Sequence, residues 1–108
     1  MRLATEFWVK ALMKRLELVH IPIYVVHHGD DTAGAVVVKV PLGMQDWALY
    51  HRSFDLMSGA QTWAELAKGP EHDIDALITR QRKSDPDLWV IELENRDGLD
   101  YVKDMDSQ

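Results

Sequence analysis

The densest group of residues able to do chemistry is His27-His28-Gly29-Asp30-Asp31. Imidazoles and carboxylates are metal ligands, and a hairpin tip can bring them together. A metal-assisted hydrolysis is the chemistry that such a set would support. Strand geometry works against it. Adjacent strand residues point to opposite faces, so His27 and His28 cannot both reach one ion while the strand stays regular. At most one histidine would converge with Asp30 and Asp31. Asp, Asp and Gly are also what a turn needs, and a hydrogen-bonded turn without metal or other cofactor is the expected role. Asp30→Ala and Asp31→Ala are accordingly expected to be mild.

Other reactive types are thinly supported. Ser53 has His51 near it in sequence, but strand neighbours are expected to face apart, and no Gly-x-Ser-x-Gly elbow is present. Arg52 and Asp55 read as a structural pair where a strand ends. Arg80, Arg82 and Lys83 are able to bind an anion, yet they crowd a helix end where the dipole favours cations, and they read as a solvated terminus. No Gly-x-x-x-x-Gly-Lys-Ser/Thr loop occurs, and Gly29 and Gly34 read as turn residues with positive φ. The absence of cysteine removes disulfides, thiol catalysis and thiolate metal sites together. A formal charge of −6 argues against nucleic acid as a partner.

The elements that must position these residues follow from periodicity. Trp8, Val9, Leu12, Met13, Leu16 and Val19 recur at three- and four-residue steps, which predicts an amphipathic helix over 5–19 with Thr5 as its N-cap. Pro22 marks its exit. Ile23 to His28 and Ala35 to Val40 are β-branched runs on either side of a Gly/Asp-rich turn, and they predict a hairpin. Trp47 to Phe54 alternates as a third strand. Gln61 to Lys68 fits a helix turn or a strand, and its length favours a strand. Gly69-Pro70 opens a second helix carrying Ile74, Leu77 and Ile78, which Asp85-Pro86 stops. Leu88 to Leu93 is a last apolar strand.

Four stretches carry a resemblance. They are 2–12 (Arg2 to Leu12), 24–35 (Tyr24 to Ala35), 52–57 (Arg52 to Met57) and 85–92 (Asp85 to Glu92). They are similar to a bacterial, mainly alphaproteobacterial, domain-of-unknown-function family numbered 1491. The resemblance covers the chain to about Gly98 and implies a bacterial cytoplasmic protein of one domain. It implies no activity, and no catalytic residue carries over from it.

The expected architecture is α+β, in the order α-β-β-β-β-α-β: an antiparallel meander of about five strands with two helices on one face. Residues 1–98 form the domain, and residues 99–108 form an acidic tail expected to fray. Neither a signal peptide nor a membrane span is seen in the sequence, so a cytoplasmic location without membrane binding is expected. Core packing is expected for Trp8 and Trp89. Several strands carry apolar residues on both faces. A sheet covered on one face would therefore expose Val25, Val37, Trp47 and Trp63 as an interaction surface. The function expected is a non-catalytic protein-binding or assembly module, with a homodimer or another protein as partner. A small metal-assisted hydrolase using the His27–Asp31 loop is the alternative.

Overall fold

The computed structural model describes residues 4–54 and 56–106, the side chain of Phe54 excepted. The elements run α1 (Thr5–Leu18), β1 (Ile23–His27), β2 (Val36–Gly43), β3 (Asp46–Phe54), β4 (Gln61–Pro70), α2 (Glu71–Ser84), β5 (Trp89–Leu93) and α3 (Gly98–Asp106). The ambiguous segment at Gln61 is a strand. No helix among the described residues is long and apolar enough to cross a membrane.

α1 buries most of the predicted stripe, with Trp8, Val9, Leu12 and Leu16 inside and Met13 packed against them, whereas Val19 lies just past the helix and is exposed. Its start differs from expectation. Ala4 is the N-cap and no side chain caps the helix. The N–H groups of Thr5 and Glu6 instead donate to the carbonyls of Thr32 and Asp31, so the loop before β2 satisfies donors that a helix start leaves open. The Thr5 hydroxyl is buried and donates to the Gly34 carbonyl at 2.9 Å.

The sheet is mixed, not a purely antiparallel meander. Its order is β1-β5-β2-β3-β4. β2, β3 and β4 form an antiparallel meander, but β5 inserts between β1 and β2, parallel to β2 and antiparallel to β1. The expected β1–β2 hairpin therefore does not exist. The reason lies in α2, which carries the chain from the β4 edge back across the sheet and delivers β5 to its middle.

The helices occupy both faces. α1 and α3 pack with Val36, Val38, Val40, Trp89, Ile91 and Leu93 on one side. α2 sets Ile74 and Ile78 against Val37, Leu49, Leu88 and Val90 on the other. The runs that are apolar on both faces thus belong to central strands covered twice, as buried strands in layered α/β packing generally are. The proposed interaction surface dissolves with this. Val37 is 3% exposed and Trp63 8%, Val25 packs against the α1 side, and Trp47 is half-buried against the α2 side.

A third helix replaces the expected frayed tail. In α3, Leu99, Val102 and Met105 recur every three residues, with Val102 fully buried and the other two packed on the same cluster. Arg15 of α1 forms an ion pair with Asp104 of α3.

Candidate functional site

The His27–Asp31 segment starts at a β-bulge. Val25 pairs with Ile91 and His27 with Val90, so Val26 is the extra residue. The bulge turns His27 toward the α2 face, where its Nδ1 lies 2.7 Å from the Leu88 carbonyl. A carbonyl only accepts, so Nδ1 carries the proton and Nε2 is left as the second hydrogen-bonding atom of the ring. His28 turns to the opposite face. Its ring lies 4.0 Å from that of Trp89, and its Nε2 is 2.5 Å from Asp31 Oδ1.

Asp30 does a turn's work. Its carboxylate accepts the N–H groups of Thr32 and Ala33, and its carbonyl accepts the Trp89 indole N–H at 2.7 Å. Gly29 and Gly34 are not in the positive-φ region expected of them. They are glycines because backbone passes close by. A Cβ on Gly29 would stand 2.2 Å from the Asp87 carbonyl oxygen, and one on Gly34 would stand 2.6 Å from the same atom.

Of the four metal-ligand candidates, then, only His28 and Asp31 come together. Sequence reasoning missed the third member, Glu6, which α1 brings to within 4.8 Å of both. Nothing local in the sequence says that this helix end docks on the loop. Glu6 is already engaged by Lys10 at 2.6 Å, giving a surface chain Lys10–Glu6–Asp31–His28 in which two neighbouring carboxylates are flanked by an ammonium and an imidazole. The His28 hydrogen bond holds the Asp31 carboxyl below its ordinary value, and the charges of His28 and Lys10 add to this.

The sign follows. A carboxyl whose folded pKa is lowered stabilises the fold above its unfolded value and loses that contribution as pH falls through the lowered one. NMR titration of Asp31 is expected to give a midpoint below 3.8. Asp30→Ala and Asp31→Ala are each expected to leave the fold intact and to change stability by about 1 kcal/mol or less, as exposed turn residues do. A thermal midpoint collapsed by either change would contradict the surface reading.

A second polar group lies on the α2 face and was not foreseen. Lys39 sits in the valine run of β2 with its side chain 5% exposed, 2.6 Å from Glu71, 2.8 Å from Asp75 and 3.4 Å from Glu92. Its ammonium stands 4.6 Å from the centre of the Trp47 ring. Burial pulls its pKa down, but hydrogen bonds to Asp75 and Glu71 and the charge of Glu92 outweigh burial and the pKa is raised. A lysine held protonated in this way is a poor nucleophile or base and a good anchor for α2.

A third group closes the other face. The side chain of Asp106 is 5% exposed. It accepts the indole N–H of Trp8 at 3.0 Å, the indole N–H of Trp63 at 2.7 Å and Arg52 Nε–H at 3.0 Å. Trp8 and Trp63 stack with centroids 5.6 Å apart, and the Arg52 guanidinium covers both rings. Asp55 lies outside the described residues, and the expected Arg52–Asp55 pair with it. His51 and Ser53, being two apart on β3, share a face on a regular strand, contrary to the expectation that they face apart. No hydrogen bond joins them among the described residues. Arg80, Arg82 and Lys83 lie on α2 and are exposed.

The remaining feature is the outer edge of β1, which has no neighbouring strand among the described residues. Tyr24 is 48% exposed and Val26 55%. Beside this edge Met13, Glu17, His20, Ile21, Pro22 and Ile23 line a cavity of about 440 Å³, mostly apolar. Leu18 and Val19 are exposed at the end of α1. The two sheet edges differ in chemistry. β4 carries exposed Glu65, Lys68 and Pro70, the residues that block edge pairing, whereas Ile23–His27 holds no carboxylate, lysine, arginine or proline.

Comparison with known proteins adds the following. The sequence model of a family described as "Protein of unknown function (DUF1491)" matches residues 3–103. The crystal structure of a DUF1491 family protein from Caulobacter crescentus CB15 is similar at 37% identity and a TM-score of 0.76, over 91% of this chain and 90% of that one. An NMR structure of a DUF1491 family protein from the same organism is similar at 38% identity, with a TM-score of 0.75 and the same coverage of 91% and 90%. The solution structure of protein Atu0922 from A. tumefaciens is similar at 29% identity and a TM-score of 0.72, over 88% and 87%. No curated protein sequence matches.

Proposed function

This chain belongs to the DUF1491 family, and we propose that it is a non-catalytic cytoplasmic assembly module that pairs with a second copy of itself along β1. One observation carries the reading: β1 is an unguarded edge with exposed apolar side chains, and the opposite edge is guarded.

The edge is complementary to itself. In a two-fold antiparallel pair centred on Val25, Tyr24 of each copy stands opposite Val26 of the other. Both side chains are exposed in one copy, and an aromatic against a β-branched residue is a favourable cross-strand pair. The strand has no charge to repel its twin. Its short length and its bulge limit the pairing, so the apolar cavity between α1 and β1 supplies the rest of the contact. A two-fold dimer is also the commonest way to close such an edge.

Val26→Lys places two ammonium groups within the proposed pair and leaves the monomer's core untouched, because Val26 is exposed. The expected result is a monomer with an unchanged thermal midpoint at low concentration. A dimer that persists in Val26→Lys would contradict the β1 edge as its site.

A further inference from the structure

We propose that the groove between the last turns of α2 and the end of β1 binds a phosphate monoester. His27, Thr79, Arg82, Lys83 and Pro86 line it, around a cavity of about 280 Å³. Thr79, Arg82 and Lys83 stand three and four residues apart and so share one face of α2. His27 forms the facing wall from β1.

Charge identifies the ligand. The chain has 18 Asp and Glu against 12 Lys and Arg. Lys10, Lys14, Arg15, Lys39 and Arg52 each pair with a carboxylate. Among the described residues six cations form no ion pair, Lys68, Arg80, Arg82, Lys83, Arg96 and Lys103; of these, Arg82 and Lys83 line this groove together, and no carboxylate lines it. Two full positive charges therefore converge on a concavity of an acidic protein. The α2 C-terminus opposes an anion with about half a negative charge, which two cations outweigh. An arginine fork beside a lysine point charge suits a tetrahedral dianion with several acceptor oxygens.

His27 favours phosphate over a carboxylate. Its Nδ1–H is committed to the Leu88 carbonyl, which fixes the ring and leaves Nε2 for the groove. Neutral, Nε2 accepts from the P–OH of a monoanionic phosphate. Protonated, it donates to the dianion. The Thr79 hydroxyl donates to the Asp75 carbonyl and contributes wall rather than a donor.

The test is a ¹H–¹⁵N titration of the whole chain at low salt with inorganic phosphate and, separately, with a phosphoserine peptide. Saturable shifts confined to His27, Thr79, Arg82, Lys83 and their neighbours are expected. Arg82→Ala with Lys83→Ala is expected to weaken binding at least about tenfold, since both charged hydrogen-bond donors are gone. The charge-matched pair Lys10→Ala with Lys14→Ala, on α1, is expected to leave it unchanged. Tighter binding of the peptide than of inorganic phosphate assigns the ester to a phosphorylated segment, and equal binding assigns it to a small metabolite. Shifts that do not saturate, or equal weakening by the control pair, would overturn the site and leave general charge attraction. Val26→Lys keeps His27, Arg82 and Lys83 in place and is expected to retain saturable phosphate binding at the groove, which separates this inference from the dimer.

Discussion

Trp8→Ala is expected to cost about 3–5 kcal/mol, the range for removing a buried aromatic side chain. Trp8 is buried and lies at the junction of α1, β3, β4 and α3. Its loss empties the space against the Trp63 ring, uncovers one face of Arg52 and takes one of the N–H donors from Asp106. Asp106 is nearly enclosed, so a missing donor is not readily replaced by water. Trp8→Phe separates the contributions. It keeps most of the packing and removes the indole N–H, so a smaller loss, about 1–3 kcal/mol, is expected. Urea titration measures both. A loss under about 1 kcal/mol for Trp8→Ala would place this side chain outside the core, against the usual cost of a cavity.

Lys39→Met is expected to be the second large effect. The substitution keeps the stem of the side chain and deletes the ammonium, leaving Glu71, Asp75 and Glu92 facing one another without a cation. Breaking a buried pair by removing one partner typically costs about 3–5 kcal/mol. Glu71 and Asp75 are about half exposed and can turn to water, which lowers the expectation to about 2–3 kcal/mol. Linkage gives a second check. A lysine whose folded pKa is raised contributes fully below its unfolded value near 10.5 and loses that contribution only as pH rises through the folded one. Wild-type stability is therefore expected to show no Lys39-dependent change between neutral pH and pH 9. A drop there that is absent in Lys39→Met would contradict a protonated anchor.

These two residues mark what a sequence conceals. α1 and α2 were legible because their apolar residues keep a helical period, and the strands because β-branched residues cluster between turn residues. Strand order was not, since nothing local in Leu88–Leu93 states which strand it joins. The clue was that β2 and β5 are apolar on both faces, which fits central strands covered twice better than one exposed face. Lys39 inside a valine run was a second clue, because a charge in a doubly covered strand requires a buried partner. α3 was missed because its acidic residues dominate a nine-residue helix. Its Leu99, Val102 and Met105 step is short, and the role of Asp106 depends on Trp8, Arg52 and Trp63, which are 43 or more residues away. At the His27–Asp31 loop, the opposed facing of the two histidines was readable from strand geometry. Glu6 was not, because only the docking of α1 brings it there.

Pairing of β1 with its counterpart in a second copy is read out by sedimentation equilibrium over micromolar to submillimolar concentration. The mass is expected to rise with concentration toward twice 12.4 kDa in the wild type and to stay at 12.4 kDa in Val26→Lys. A wild-type mass that remains at 12.4 kDa across the whole range would contradict it.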